Sequence, residues 1–370
     1  MTRIAVIGGE GFIARNLRVR LRELGYQEVA SITRSTTDLE LAEALPATDL
    51  VYHLAGVNRP RTEGEFTTGN IDLTARVCRI LAASGRRIPV IYASSTQAAL
   101  DNPYGRSKLA AEQVLRRYGD TTGATVLIFR LTNVFGKWCK PHYNSVVATF
   151  CHQLARGEQI AINDASQILR LVYIDDVIDA FVQCLKAEES SRPPDHPGPV
   201  YETTLGELAS TLQEFARRRS LTIGRVGRGF QRALYATYIS YLPPPAFSYE
   251  VPQYRDSRGV FVEMMKTPDS GQFSYFIAKP GITRGQHYHH TKVEQFLVIQ
   301  GTAHFRFRNI DSGEIFELVV HGREGRVVFS IPGWAHDVTN TGSDELVVML
   351  WASENFEQAR PDTVLAKVIS

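Results

Sequence analysis

His287 and His289 stand two residues apart, and Glu294 follows five positions later. On a strand, side chains two apart point the same way, so both imidazoles face one side and a carboxylate on the next segment can reach the same point. His336, in Ile331-Pro-Gly-Trp-Ala-His336, is a fourth candidate ligand. Three imidazoles and a carboxylate suit zinc, iron, manganese, nickel or cobalt; zinc is the first choice for this divalent metal. His290, or another residue of this stretch, could serve as a base beside the metal.

A second constellation lies far upstream. Tyr104-Gly-Arg-Ser-Lys108 places a lysine one helical turn after a tyrosine, on the same face. A phenol with a pKa near 10 is a poor acid–base group at neutral pH, and an adjacent ammonium stabilises its phenolate. The strand Val90 to Tyr92 runs into Ala93-Ser94-Ser95-Thr96 and offers the Ser95 hydroxyl at a strand end. At the amino terminus, Gly8-Gly-Glu-Gly11-Phe12-Ile13-Ala14 follows a short buried strand and precedes a helical run from Asn16 to Leu24. Glycines there let the backbone turn tightly against a pyrophosphate, whose charge rests on the helix amino terminus. About twenty residues further on, where an acid would bind the ribose hydroxyls of NAD, stands Arg34, which suits the 2′-phosphate of NADPH.

These residues need two kinds of scaffold. From Met1 to about Lys186, short apolar runs alternate with segments of helical period, which implies βαβ units and a doubly wound parallel sheet. Glu188 to Pro199 reads as a breaker-rich surface loop, and Thr204 to Phe215 as a helix of the same domain. Three prolines in Leu242-Pro-Pro-Pro-Ala246 interrupt the chain, and beyond them alternating strands separated by Gly, Asp and Asn turns imply an all-β sandwich or barrel. The expected division is 1–245 and 246–370, in line with a length of 370 residues.

Composition narrows the partners. A formal charge of +2 gives no support for nucleic-acid or membrane-surface binding. Four cysteines without a CxxC pair read as buried thiols in a reducing compartment, and no segment has the form of a signal peptide or membrane span. The expectation is a cytoplasmic protein.

The first half resembles the extended short-chain dehydrogenase/reductases, with Ser95, Tyr104 and Lys108 matching their catalytic Ser/Thr, Tyr and Lys. His53-Leu54-Ala55-Gly56, Asn70, Arg130-Leu-Thr-Asn133-Val-Phe-Gly136 and Val172-Tyr-Ile-Asp-Asp176 match as well, and Ala14 replaces the third glycine. The resemblance implies a Rossmann-like domain whose cofactor is held by the glycine loop, Leu54 to Gly56, Tyr104 and Lys108, and which acts on a nucleotide sugar. The second half resembles the cupins: the first motif matches through Gly301, whereas Pro332 to His336 is one residue shorter than the usual second motif. Asp256-Ser-Arg-Gly-Val-Phe-Val-Glu263 resembles the opening of cupin-fold epimerases of 4-keto-6-deoxy sugar nucleotides.

Both halves in this order, together with His53 to Pro60, Asp101 to Gly105, Phe135 to Pro141, Tyr143 to Val146 and Tyr238 to Pro243, resemble the bifunctional capsular polysaccharide enzymes of the UDP-N-acetyl-L-fucosamine pathway. That resemblance implies a homodimer and a UDP-2-acetamido-2,6-dideoxy-hexos-4-ulose substrate, a UDP-4-keto-6-deoxy-N-acetylhexosamine. It also implies epimerisation at C3 in the cupin and reduction with NADPH to UDP-N-acetyl-6-deoxy-L-talosamine. The residues themselves leave alternatives open: a 4-epimerase or 4,6-dehydratase with tightly held NAD, or a binding protein without turnover. Asn133 and Lys140 are candidate substrate contacts, the cations and aromatics of Lys137 to Tyr143 suiting a diphosphate and a uracil.

Overall fold

The computed structural model describes residues 2–186, 197–217, 222–357, 359 and 361–369, in two compact units. The first comprises Met1–Gln213 and Ala233–Leu242. Its strands β1 (Ile4–Ile7), β2 (Val29–Ile32), β3 (Leu50–His53), β4 (Val90–Ser95) and β5 (Val126–Leu131) form a parallel sheet in the order β2-β1-β3-β4-β5. Strands covered on both faces read as unbroken apolar runs, and all four residues of β1 are buried. Ala5, Ile7, Val51, Val90 and Tyr92 pack with Val77, Leu81, Ala111, Leu115 and Tyr118, which lie on α3 (Leu73–Ala83) and α4 (Pro103–Thr122). On the other face Tyr52 donates to the Phe181 carbonyl at 2.9 Å, and the Tyr52 and Phe129 rings lie 5.9 and 5.2 Å from the Phe181 ring on α6 (Ile174–Lys186). This is the expected doubly wound arrangement. α1 (Phe12–Glu23), α2 (Asp38–Ala44), α5 (Val146–Leu154), α7 (Leu205–Arg217) and α8 (Gly229–Ser240) complete the described α-helices of more than three residues, and β6 (Asn133–Phe135), β7 (Ile168–Tyr173) and β8 (Val200–Thr204) form a smaller sheet.

The glycine loop, Leu54 to Gly56 and Ser95 all follow the carboxyl ends of β1, β3 and β4, the edge at which open α/β sheets bind ligands. α1 begins at Phe12, four residues before the helical period sets in, because Gly11 supplies an extended amino cap (φ −66°, ψ 160°).

The second unit comprises Glu214–Arg232 and Pro243–Ser370. One antiparallel sheet has the order β16-β13-β18-β11-β10-β9, built from β9 (Gln253–Asp256), β10 (Gly259–Lys266), β11 (Gln272–Ala278), β13 (Glu294–Gln300), β16 (Val327–Phe329) and β18 (Leu346–Ala352). The other runs β15-β14-β17-β12-β19, from β12 (Thr283–Tyr288), β14 (Thr302–Asn309), β15 (Ile315–His321), β17 (Trp334–Asn340) and β19 (Val364–Leu365). Phe276, Phe296 and Val348 of the first sheet meet Phe305, Phe307 and Val338 of the second in one apolar core. The expected β-rich cupin-like architecture is thus present.

Two details differ from the sequence reading. Residues 214–232 group with the β unit, Ile223 donating to the Lys266 carbonyl at 2.8 Å, whereas the chain pattern placed them with the first domain. Most of the Glu188 to Pro199 loop lies outside the described residues. Among the described residues, no helix is long and apolar enough to cross a membrane.

Gly8 sits at φ +83°, and a Cβ there would lie 2.7 Å from the Ala55 backbone. Gly8→Ala is therefore expected to cost about 2–4 kcal/mol, from strained φ and overpacking together. Urea unfolding of the two proteins measures it, and equal midpoints would show that the turn relaxes freely.

Candidate functional sites

In the first unit, a cavity of about 540 Å³ is lined by Gly8, Gly11, Arg34, Leu54, Ala55, Gly56 and Arg76 among others. A second cavity, about 610 Å³, is lined by Gly11 to Arg15, Leu54 to Gly56, Ser95, Tyr104, Lys108, Asn133 and Lys140 among others. The two share Glu10, Gly11 and Leu54 to Gly56. Every sequence-predicted residue of this half therefore lines one of two adjoining spaces. α1 has no side-chain cap and no acid in its first turn, which leaves its amides available to an anion. Arg34 is exposed at the far end, and Arg76, ion-paired to Asp38 at 2.5 Å, shares that space.

Tyr104 is brought to Ser95 by the start of α4. Asn102 caps the helix, accepting from the Gly105 amide at 2.7 Å, and Pro103 occupies its first turn. A Cβ at Gly105 would lie 2.2 Å from the Gln97 carbonyl, so only glycine lets the helix approach the turn after β4 this closely. Ser95 and the half-buried Tyr104 line the same cavity; burial raises the phenol's pKa and the neighbouring Ser95 hydroxyl opposes the rise.

Lys108 is 3 % exposed. Its ammonium donates to the Ala93 carbonyl at 2.8 Å and lies 4.4 Å from the centre of the Tyr92 ring. Burial pushes its pKa down to about 7, with the Glu112 carboxylate pulling it up. Glu112, one turn further along α4 and fully buried, accepts from Ser94 Oγ at 2.6 Å and from Arg130 Nε and Nη2 at 2.9 and 2.7 Å. Burial opposes its ionisation, yet these donors hold its pKa below the ordinary carboxylate value. Sequence reasoning missed Glu112, although an acid four residues after Lys108 on one helix face was a readable signal.

The loop that carries Lys140 is held open rather than helical. Trp138 and His142 sit at φ +67° and +55°. Arg15 donates to the Trp138 carbonyl at 2.8 Å, Tyr241 to that of Cys139 at 2.5 Å, and the His142 amide to Thr149 Oγ1 at 3.0 Å. Non-glycine residues in this region persist only where surrounding bonds fix them, and they cluster at binding sites. Arg15 and Arg170, which the sequence reading did not single out, line the same cavity.

In the second unit, His287, His289, Glu294 and His336 present one donor atom each, all within 4.8 Å of one another. The irregularity between Gly285 and His287 in β12 puts His287 opposite His336 of β17, and β13 begins with Glu294. His289 and His336 Nε2 lie 3.2 and 3.3 Å from Glu294 Oε2. The shortened second motif does not displace His336. Burial, then a neighbouring His336 charge, pushes His287 down to about 4, and the imidazoles hold Glu294 ionised against its burial. Three imidazoles around a buried carboxylate are a donor set fitted to a divalent cation.

His290 is not brought to this cluster. Strand parity sends it outward with Tyr288, whose ring is 5.2 Å away, while His287 and His289 face inward; His290 is exposed. The residue next to the pair is thus on the wrong face to act there as a base.

Residues 4–197 match the NAD dependent epimerase/dehydratase family, and residues 254–364 match the polysaccharide biosynthesis C-terminal domain. The chain is 50 % identical over 367 residues to the UDP-2-acetamido-2,6-beta-L-arabino-hexul-4-ose reductase of Pseudomonas aeruginosa, covering 99 % of each. It is similar in structure to the capsular polysaccharide assembling protein CapF of Staphylococcus aureus, with a TM-score of 0.92, 41 % identity, and coverage of 99 % of this chain and 100 % of that one. A UDP-glucose 4-epimerase of Thermotoga maritima, solved with UDP-glucose, shares the fold alone at 19 % identity, a TM-score of 0.55, and coverage of 65 % and 98 %.

The buried ammonium gives a pH-dependent signature. An unfolded chain keeps this lysine protonated to its ordinary 10.5, while the folded value is near 7. The folded state therefore binds fewer protons between those values, and the burial penalty is full below pH 7 and fades towards pH 10.5. Lys108→Met should stabilise the protein at pH 6 relative to wild type, with the gain shrinking by pH 10 in paired urea melts. A difference independent of pH would contradict this.

Proposed function

Because the chain belongs to the NAD-dependent epimerase/dehydratase family, with a polysaccharide-biosynthesis domain behind it, we propose that it is a bifunctional nucleotide-sugar enzyme that epimerises a 4-keto sugar and then reduces it. Epimerisation at C3 is assigned to residues 246–370 and reduction at C4 to residues 1–245. The substrate is UDP-2-acetamido-2,6-dideoxy-hexos-4-ulose, and the product is UDP-N-acetyl-6-deoxy-L-talosamine. The observation that carries this reading is that Ser95, the half-buried Tyr104 and Lys108 line one cavity that adjoins the glycine-loop space, on a chain whose 50 % identical relative is named for reduction of such a ketone.

The glycine turn, the uncapped start of α1 and Arg34 fit NADPH. When bound, it supplies the hydride for the ketone carbon. Tyr104 gives its proton to the ketone oxygen as charge develops there, and the Ser95 hydroxyl holds that oxygen in place. Lys108 stabilises the phenolate that remains. Lys140 and Asn133 are assigned to the substrate, the cation to its diphosphate.

His287, His289, Glu294 and His336 would hold a divalent metal, zinc by preference, which supplies Lewis-acid polarisation of a carbonyl. The substrate's own ketone acidifies the C3–H bond, because the carbanion delocalises into it as an enolate. Return of the proton on the opposite face inverts the carbon. Reduction removes that ketone, so epimerisation comes first. A cytoplasmic homodimer completes the reading; the edge strands β15 and β16 expose Phe316 and Phe329, each near half, as a surface a second copy would cover.

Two outcomes test this. NADPH should be consumed with the 4-keto substrate, and Tyr104→Phe should slow that consumption about 100-fold or more; no net NADPH consumption by the wild type would favour a 4-epimerase or dehydratase using held NAD. Arg34→Ala should raise the KM for NADPH about tenfold and leave that for NADH nearly unchanged. Equal effects on both cofactors would remove Arg34 from 2′-phosphate recognition.

A further inference from the structure

One residue near the carboxyl terminus touches the His/Glu cluster at its base. The Asp362 carboxylate accepts from three consecutive backbone amides, His290 at 2.9 Å, Thr291 at 2.7 Å and Lys292 at 2.8 Å, and from the Thr291 hydroxyl at 2.9 Å. These residues form the turn that joins His289 to Glu294. The backbone carbonyl of the same Asp362 accepts a hydrogen bond from His289 Nδ1. A carbonyl can only accept, so Nδ1 is the donor, which aims the other ring nitrogen, Nε2, at Glu294 Oε2, 3.2 Å away.

Asp362 is itself held. Val364 and Leu365 pair with Tyr288 and His287, the Ala366 amide donates to the Gln286 carbonyl at 2.9 Å, and Arg308 Nη2 donates to the Lys367 carbonyl at 2.6 Å. Val368 ends the strap at 2 % exposure.

The geometry points to Asp362 as a positioning residue of the metal centre: its side chain clamps the turn between the two ligands His289 and Glu294, while its carbonyl fixes the aim of the His289 ring. This rests on the metal reading of the cluster. It goes beyond the four donors by giving the carboxyl-terminal segment a task at the site, namely to hold the His289 ring with Nε2 turned into the cluster before an ion arrives. Outer partners of this kind typically govern metal affinity by about 10- to 100-fold.

The test uses the full-length chain stripped of metal and titrated with Zn²⁺ against a chromophoric chelator, then with Co²⁺ to record its visible ligand-field bands. Asp362→Ala should weaken Zn²⁺ by about 10- to 100-fold and alter the Co²⁺ bands, and Asp362→Asn, which keeps an acceptor oxygen, should recover part of both. A merely structural role would lower the melting temperature without changing the bands of the folded protein. Wild-type affinity and bands in Asp362→Ala overturn the inference alone; a wild-type chain that binds no stoichiometric Zn²⁺ or Co²⁺ overturns the metal reading beneath it. Should Asp362→Ala not fold, Thr291→Val decides, since it removes one partner of the carboxylate: a fall of about two- to tenfold supports the clamp and an unchanged affinity overturns it.

Discussion

A lysine ammonium held almost out of water is the constraint around which the first unit is arranged. Charged groups enter a protein interior only with partners, and Lys108 has the Ala93 carbonyl, the face of Tyr92 and, one turn along its helix, the Glu112 carboxylate. Glu112 in turn is held by Ser94 on β4 and Arg130 on β5. The polar contacts thus tie α4 to two adjacent strand ends, and the same strand end carries Ser95. Tyr104 sits in the first turn of the same helix, whose start is capped by Asn102 and packed on the turn after β4 at Gly105. Stability is given up where chemistry needs a cation, as at many active sites.

The second unit solves a related problem with opposite charge. Glu294 is buried with two imidazoles within 3.3 Å of its Oε2 and the Lys292 ammonium 3.8 Å from its Oε1, and a cation shared by the four donors would complete the set. The rest of the sandwich supplies geometry: the irregularity in β12 matches His287 to His336, and the apolar core of Phe296, Phe305 and Phe307 stands behind them. One polypeptide therefore carries the Ser95, Tyr104 and Lys108 cluster in one unit and a His/Glu cluster that could hold a metal ion in the other. The ketone that makes C3 acidic is the group the first unit would remove, which fixes the order of two reactions without any need for regulation.

Much of this was legible because the relevant patterns are local. His287, His289 and Glu294 lie within one short stretch of chain that passes from one sheet to the other, the glycine loop within one turn, and Tyr104 and Lys108 within one turn of helix. His290 stands beyond the end of β12 and is exposed, a placement its position next to the pair does not reveal. What stayed hidden is non-local or made by backbone. The role of Asp362 comes from a carbonyl and from amides some seventy positions away in sequence, to which side-chain type gives no pointer. The grouping of residues 214–232 with the β unit depends on a bond from Ile223 to Lys266, a pairing that no periodicity announces. Glu112 sits between these cases: its spacing was visible, but its burial and its contacts with Ser94 and Arg130 are tertiary.

The most direct measurement of the central claim is the mass of the sugar nucleotide recovered after incubating the protein with NADPH and UDP-4-keto-6-deoxy-N-acetylhexosamine in deuterated water. Epimerisation followed by reduction predicts a reduced product with one deuterium that does not wash out in ordinary water, placed at C3. A reduced product without that deuterium would contradict the two-step account and leave a simple reductase.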